Sequence, residues 1–313
     1  MATLLITSAE TGAGKTMVAA GLARRLVSDN QRVGFIRPLT GDDGGASAGS
    51  DAAFMKGLLS LTEGPALLSP ALGQLNKTLA RVAGDKGVVI IEGPGIAAAP
   101  AVAEALNARV IVVASYNGPA ASYDGFGERL LGFVLNKVPR RRLEKVTAQA
   151  AEKRLGVIPE DRALYTLTVA ELAACLQGKF LNAEEKAGEL VENIMLGAMI
   201  VGHGPDYFGR LANKAAIIRS GRHDMQLAAL ETSLCCLVLC GPDSPIPAVL
   251  HRAGEQQVPI ITTGQDTATA VGNIEAALAG NRFHQPQKLD RLGNIMAKNI
   301  NFPALYQGLG IAA

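Results

Sequence analysis

The fold of the first half of the chain is indicated by the stretch Thr7-Ser8-Ala9-Glu10-Thr11-Gly12-Ala13-Gly14-Lys15-Thr16. It follows the short apolar run Thr3–Thr7, which is typical of a buried strand, and precedes Met17–Val27, whose pattern predicts a helix. Glycines here let backbone N–H groups turn inward around an anion, and the helix start adds the positive end of its dipole. The stretch therefore predicts a phosphate-binding loop; the alternative is a Gly-rich turn that only begins the helix.

The loop residues indicate how a nucleotide would be held. Lys15 would reach the β and γ phosphates and act as a catalytic residue, and the Thr16 hydroxyl would coordinate Mg²⁺. One position departs from the strict pattern, because Ala9 stands where that pattern has glycine. We expect ATP with Mg²⁺ as the ligand. The residues expected to contact the nucleotide are Glu10, Thr11, Gly12, Ala13, Gly14, Lys15, Thr16 and Met17.

Two carboxylates are candidates for the metal shell. Glu92 follows the apolar run Val88–Ile91, so it stands at the carboxyl end of a buried strand, where parallel sheets bind ligands. Asp51 follows the Gly-rich and Ser-rich segment 41–50. Mg²⁺ takes few protein oxygens and keeps several waters, so Thr16 with one or two carboxylates suffices. The alternatives are a loop cap for Glu92 and a helix cap for Asp51.

Arg37 is the second candidate catalytic residue. It follows a predicted strand, Arg32–Ile36, so its guanidinium would face the same sheet edge as the phosphate loop. There it would stabilise phosphate charge, or it would instead pair with Asp42 or Asp43.

Composition excludes several classes of protein. The 30 basic side chains nearly cancel the 28 acidic ones, so a net charge of +2 gives no field that tracks a nucleic-acid backbone. Aromatic residues make up only 4% and Trp is absent, which argues against single-stranded nucleic-acid binding. No leader pattern opens the sequence and no apolar run reaches about 18 residues, so we expect a cytoplasmic protein without membrane contact.

Short aliphatic runs alternate with helical patterns, which predicts an α/β protein with largely parallel sheets. A charged segment near Glu184–Glu192 separates two such alternations. The expected division is a P-loop domain over residues 1–190, a smaller α/β domain over 191–281 and a helical tail over 282–313. In the second alternation, 198–201 is expected to be the first strand.

About the first 180 residues resemble the dethiobiotin synthetases, a family of P-loop proteins. The resemblance rests on the phosphate loop, Arg37-Pro38-Leu39, Asp51, Glu92-Gly93-Pro94-Gly95 and Val134-Leu135-Asn136-Lys137-Val138, in that order. It implies Mg²⁺ bound by Thr16, Asp51 and Glu92, and an adenine edge read by Asn136. In that family the loop also lacks the first glycine. Two departures stand out: the family has Lys-Pro at Arg37-Pro38 and Glu-Gly-Ala-Gly-Gly at Glu92.

The second half resembles a DRTGG domain, over about Leu196 to Ala279. DRTGG domains follow a dethiobiotin-synthetase-like domain in the front half of long phosphate acetyltransferases and in stand-alone proteins. The naming motif is degraded here to Arg219-Ser220-Gly221-Arg222-His223-Asp224, and the acetyltransferase catalytic half is expected to be absent. The resemblance implies a regulatory or oligomerising domain, so we expect a homodimer or higher homo-oligomer.

Other residues of the second half offer weaker candidates. Cys240 ends a predicted strand and His251 follows on a helix, a nucleophile and base for which the alternative, a buried structural thiol, is favoured. The turns at Gly221–Asp224 and Thr262–Asp266 are either sites for a small anionic metabolite or plain helix caps.

Three functional hypotheses follow from these patterns. The first is an ATP-binding regulatory module, and the second is a ligase that phosphorylates a carboxylate or carbamate. The third is a scaffold with a vestigial ATP site.

Overall fold

The computed structural model describes residues 1–38, 53–60, 67–68, 72–118, 123–198, 204–280 and 283–311. Its internal contacts divide the chain into two units. Unit 1 consists of Met1–Asp161 and Phe283–Ala313, and unit 2 consists of Arg162–Arg282. Unit 2 is therefore a segment inserted into the sequence of unit 1.

Unit 1 is built on a parallel sheet. Its strands within the described residues are β1 (Ala2–Ser8), β2 (Val33–Pro38), β3 (Leu67–Leu68), β4 (Val88–Gly95), β5 (Arg109–Ser115), β6 (Leu130–Val138) and β7 (Arg154–Pro159). Their order in the sheet is β3-β2-β4-β1-β5-β6-β7, and every neighbouring pair is parallel. The helices of this part are α1 (Lys15–Ser28), α2 (53–58), α3 (Leu72–Ala83), α4 (Ala99–Ala105) and α5 (Leu143–Ala148). The expected α/β P-loop architecture is confirmed.

Strand β1 lies at the centre of this sheet, between β4 and β5. Its residues from Thr3 to Ser8 are all buried, as a strand with both faces covered requires. Because the chain crosses from β1 to β2 on one side and later reaches β5 on the other, the strand order reverses at β1. Open α/β sheets bind ligands outside the carboxyl end of the strands at such a point.

Unit 2 has its own five-stranded sheet. A two-stranded antiparallel pair, β8 (Leu167–Thr168) and β10 (Leu190–Val191), accompanies it. The sheet strands, in spatial order, are β11 (Asn193–Leu196), β12 (Lys214–Arg219), β13 (Cys236–Cys240), β14 (Ile260–Thr263) and β9 (Lys179–Phe180), with only β9 antiparallel to its neighbour. The helices are α6 (Val169–Cys175), α7 (Gly204–Phe208), α8 (His223–Leu230), α9 (Pro247–Glu255) and α10 (Thr267–Ala279). Among the described residues, the first parallel strand along the chain is β11, and the strand expected at 198–201 lies almost wholly outside them.

The division between the units falls after Asp161, about thirty residues before the boundary expected near 190. Two contacts explain the difference. Helix α6 packs its buried Val169 and Leu172 into the same core as Val238 of β13. Strand β9 pairs with β14, so the segment before residue 190 completes the second sheet.

The last residues of the chain return to unit 1 as two helices, α11 (Leu289–Asn299) and α12 (Phe302–Leu309). A Cβ at Gly21 of α1 would overlap the Met296 side chain of α11, so the two helices approach closely at this point. Between the helices, Ile300 bridges Gly156 and the Asn301 N–H donates to the Leu155 carbonyl at 2.8 Å. The tail thus covers the edge of β7, which would otherwise expose unpaired backbone groups.

The Tyr306 hydroxyl of α12 donates to the Asp29 carboxylate at 2.5 Å, which ties the tail to the end of α1. Burial, with the adjacent Asp29 carboxylate, raises the pKa of Tyr306 to about 12.

This raised pKa of Tyr306 predicts a loss of stability at alkaline pH. Below about pH 10 the phenol keeps its proton in both the folded and the unfolded chain, and above that value only the unfolded chain loses it readily. The free energy of unfolding is therefore expected to fall between about pH 10 and 12 in the wild type and to fall less in Tyr306→Phe. Urea unfolding at stepped alkaline pH measures this, with Tyr116→Phe as the control; equal slopes in wild type and Tyr306→Phe would contradict the assignment.

Across the described ranges, no helix combines the length and apolar character needed to cross a bilayer.

Candidate phosphate-binding site

The predicted loop lies between the carboxyl end of β1 and the start of α1. Gly12 and Gly14 have φ values of 77° and 100°, in the left-handed region that favours glycine. Gly14 is also the N-cap of α1, where no side chain caps the helix and no acidic residue stands in the first turn. Thr11 and Gly12 are exposed at the outer side of the loop. The first backbone N–H groups of α1 are thus presented with a positive dipole end, an arrangement that binds anions.

Asn136 supports the loop from beneath. Its side chain is fully buried, and its Nδ2 donates to the Ala13 carbonyl at 2.7 Å while its Oδ1 accepts from the Lys137 N–H at 2.9 Å. A Cβ at Gly14 would overlap the same amide nitrogen, so Gly14 is required by close approach as well as by its φ. Asn136 therefore fixes the loop backbone. Its expected role in reading adenine stays a prediction.

Lys15 and Thr16 reach across to β4, the neighbour of β1. The Lys15 Nζ donates to the Gly93 carbonyl at 3.1 Å, and the Thr16 hydroxyl donates to Glu92 Oε1 at 2.9 Å. Glu92 is 4% exposed and stands opposite Ile6 in the register of β1 and β4. The ammonium, the hydroxyl and the carboxylate therefore meet at one point beside the start of α1.

Arg37, from the end of β2, joins the same group. Its Nη1 lies 3.0 Å from Glu92 Oε1, and the two side chains are only 7% and 3% exposed. A single carboxylate oxygen thus accepts from both Arg37 and Thr16. The alternative partners, Asp42 and Asp43, lie outside the described residues.

The donor set fits a magnesium ion. The Thr16 hydroxyl and the Glu92 carboxylate are both hard oxygen ligands and already lie within hydrogen-bond distance of each other. Asp51, the third expected ligand, lies outside the described residues, so its role stays a prediction. Thr16 and Glu92 are the described residues that would hold the metal.

Glu10 spans from the loop to β5. Its Oε1 accepts from the Ser115 N–H at 3.0 Å, and a Cβ at Gly118 would overlap its carboxylate. On the β4 side, the Thr7 hydroxyl donates to the Pro94 carbonyl at 2.7 Å. The supporting contacts of Ser115, Gly118 and Thr7 were not predicted from the sequence. The signal that was available is the polar stretch that directly follows the apolar run of β5.

In unit 2, Cys240 is a buried thiol. It is 3% exposed, and burial raises its pKa to about 11. His251 is exposed on α9 and pairs with Glu255 at 3.4 Å. A thiol that stays protonated at neutral pH is a poor nucleophile, so this part of the chain supports the structural interpretation.

The two turns of unit 2 are closed largely by internal bonds. Asp266 caps α10 by accepting from the Thr269 N–H at 2.9 Å, which is the plain helix cap considered above. At the other turn, Arg222 pairs with Asp224 at 2.9 Å. Ser220 donates to the Asp243 carboxylate at 3.1 Å.

Comparison with known families finds a match for two segments of the chain. Residues 2–92 match an AAA domain, and residues 171–277 match a DRTGG domain. The expected P-loop domain followed by a DRTGG domain is thereby confirmed. The DRTGG match begins at residue 171, within unit 2 and before the expected Leu196.

Two curated relatives match nearly the whole of this chain and are themselves longer. The chain is 26% identical to the phosphate acetyltransferase of Deinococcus radiodurans, over 96% of this chain and 50% of that protein. It is 24% identical to the phosphate acetyltransferase of Nitrosomonas europaea, over 99% of this chain and 52% of that protein. The chain spans about half the length of these relatives.

Among solved structures, one similar chain is the CBS and DRTGG regulatory region of Clostridium perfringens pyrophosphatase, complexed with the activator diadenosine tetraphosphate. It is 14% identical, with a TM-score of 0.32 over 44% of this chain and 69% of that chain. Another is the cell division protein MinD of Aquifex aeolicus, which is 16% identical, with a TM-score of 0.35 over 52% of this chain and 84% of that chain.

Proposed function

We propose that this chain, which joins an AAA-type P-loop domain to a DRTGG domain, is a regulatory module that binds Mg·ATP. The observation that carries the proposal is the meeting of Lys15, Thr16 and Glu92 beside the uncapped start of α1. A nucleoside triphosphate has the charge and the length to occupy such a loop. The relation to the N-terminal part of phosphate acetyltransferases supports a regulatory role.

Each group has a distinct task in holding the phosphates. The N–H groups at the start of α1 bind phosphate oxygens, and Lys15 adds a full positive charge. Mg²⁺, held by Thr16 and Glu92, supplies neutralisation of the β and γ phosphates when it is bound. Asn136 keeps the loop in shape through its bond to the Ala13 carbonyl. Any hydrolysis at such a site rests on positioning and charge stabilisation, so slow turnover is sufficient for a sensor.

The DRTGG unit is the proposed recipient of the nucleotide signal. We propose a cytoplasmic location, because all four cysteines are free thiols and three of them are buried. The proposed homo-oligomer rests on the DRTGG match alone. A small anionic metabolite remains the proposed second ligand.

A ligase acting on a carboxylate or carbamate is the second candidate, supported by the order of the dethiobiotin-synthetase-like motifs. The bond between Arg37 and Glu92 weighs against it, because it already engages one of the cations that could hold a second substrate. The rate of ATP hydrolysis distinguishes the two functions. A ligase hydrolyses little ATP until an amine or acid is added, whereas a sensor hydrolyses ATP slowly whether or not one is present.

Thermal unfolding with and without Mg·ATP tests the proposal. At a ligand concentration of 100 times Kd, binding is expected to add about 2.7 kcal/mol to the stability of the wild type. AMP, which lacks the β and γ phosphates, is the matched ligand and is expected to add much less. No shift with Mg·ATP, measured with and without an added amine, would refute both ATP functions and leave the scaffold interpretation.

A further inference from the structure

Glu92 contacts a buried arginine, Arg37, in addition to the expected metal ligand Thr16, and binding of Mg·ATP does not require that second contact. Its Oε1 accepts from Thr16, the expected metal ligand, and from Arg37, a permanent cation, at 2.9 and 3.0 Å. Arg37 and Glu92 are both almost completely buried. The oxygen that would serve a metal is therefore already engaged by a positive charge of the chain itself.

A metal and Arg37 compete for this carboxylate. A dication brought to the Thr16 hydroxyl comes close to the guanidinium, because both groups contact the same Glu92 oxygen. Like charges at such short range repel strongly in a buried setting. The metal therefore binds at full strength only when the bond between Arg37 and Glu92 loosens.

Without a metal, the bond between Arg37 and Glu92 favours nucleotide binding. A bare Glu92 carboxylate beside the loop would repel the phosphates that Lys15 attracts. Arg37 cancels that charge, and its guanidinium suits the task because it is always protonated and tolerates burial better than an ammonium. The lysine of the dethiobiotin synthetases at this position would be a weaker internal partner for a buried carboxylate.

We propose that Arg37 is a built-in counter-cation for Glu92, which lets the site bind ATP without a metal and which Mg²⁺ must displace. The inference rests on the proposed function and concerns its regulation. The wild type then responds to nucleotide in both metal-free and metal-loaded states, with only a modest effect of Mg²⁺ on affinity.

Binding of a fluorescent ATP analogue, measured in excess Mg²⁺ and in excess EDTA, tests this inference. In Arg37→Gln the affinity in EDTA is expected to fall about tenfold or more, while the affinity in Mg²⁺ is expected to be unchanged or higher because the metal no longer competes with the guanidinium. Arg32→Gln is the matched control. Arg32 pairs with Asp85 just before the other end of β2, where both side chains are exposed, so its loss is expected to leave both affinities unchanged.

Glu92→Gln gives the opposite test and does not depend on the folding of the first variant. It leaves Arg37 in place beside a neutral amide, so the affinity in EDTA is expected to rise about tenfold and the effect of Mg²⁺ to shrink. An affinity in EDTA that is unchanged or lower in Glu92→Gln overturns the inference. So does an equal loss in EDTA and in Mg²⁺ for Arg37→Gln, which leaves the proposed function intact. Absence of wild-type binding under both conditions instead defeats the proposed function itself.

Discussion

Lys15→Ala is expected to weaken the binding of Mg·ATP about 100-fold and to leave the stability of the chain within about 1 kcal/mol of the wild type. The ammonium is the one side-chain charge of the loop that stands at the start of α1, and its bond to the Gly93 carbonyl at 3.1 Å places it beside Glu92. A charged hydrogen bond to phosphate is worth more than a neutral one, and an alanine methyl offers no replacement. The fold tolerates the loss because the apolar packing of α1 begins at Met17.

Isothermal titration calorimetry gives the affinity, and urea unfolding without nucleotide gives the stability. Lys77→Ala removes an exposed lysine of α3 and serves as the matched control, since it changes the net charge equally. If Lys15→Ala binds Mg·ATP as tightly as the control does, the phosphates do not occupy this loop. If instead both affinity and stability collapse, Lys15 stabilises the fold by more than its bond to the Gly93 carbonyl accounts for.

The phosphate loop could be predicted because its signal is local. Strand, glycines, Lys15, Thr16 and helix follow one another within the first 28 residues, and each step has a backbone reason. Glu92 could be predicted in the same way, from its position directly after a run of buried aliphatic residues. Parallel topology then brings the two segments together, since adjacent strands end at the same edge of the sheet.

The internal partners of the site could not be predicted, because they join residues far apart in the sequence. Arg37 and Glu92 are 55 positions apart, Glu10 and Ser115 are 105 apart, and Asn136 and Ala13 are 123 apart. Sequence patterns indicate which side chains reach the edge of the sheet. They do not indicate which of several neighbouring polar groups will share one oxygen. Arg37 shows this clearly, since phosphate, Asp42 and Asp43 were the partners considered from sequence.

The division between the units differs from the boundary expected near 190 for a related reason. The charged segment near Glu184–Glu192 looks like a linker by composition. Tertiary pairing overrides this impression: β10 at Leu190–Val191 pairs with β8, and β9 completes the sheet beside β14. Two-residue strands carry almost no periodic signal, so only the packed structure shows to which sheet they belong.

Glu92→Ala is expected to destabilise unit 1 by about 3–5 kcal/mol, the largest stability change among the site residues. The substitution removes the carboxylate that lies 3.0 Å from a guanidinium of which only 7% is exposed, and water cannot easily replace it there. It also removes the acceptor of the Thr16 hydroxyl. Glu92→Gln keeps one hydrogen-bond acceptor and much of the volume, so its loss is expected to be smaller.

Urea unfolding of the nucleotide-free chain measures these differences, and the double variant Arg37→Met with Glu92→Leu separates the two explanations. Replacing both members of a buried ion pair with apolar residues is often neutral or stabilising. If the cost of Glu92→Ala comes from the charge left on Arg37, the double variant is expected to recover most of the lost stability while losing the effect of Mg²⁺ on ATP binding. If the double variant is as unstable as Glu92→Ala, the cost comes from packing at the end of β4. In that case the ion pair does not hold the strand ends in place. A different result, a stability of Glu92→Ala near that of the wild type, would show that water reaches Arg37 freely.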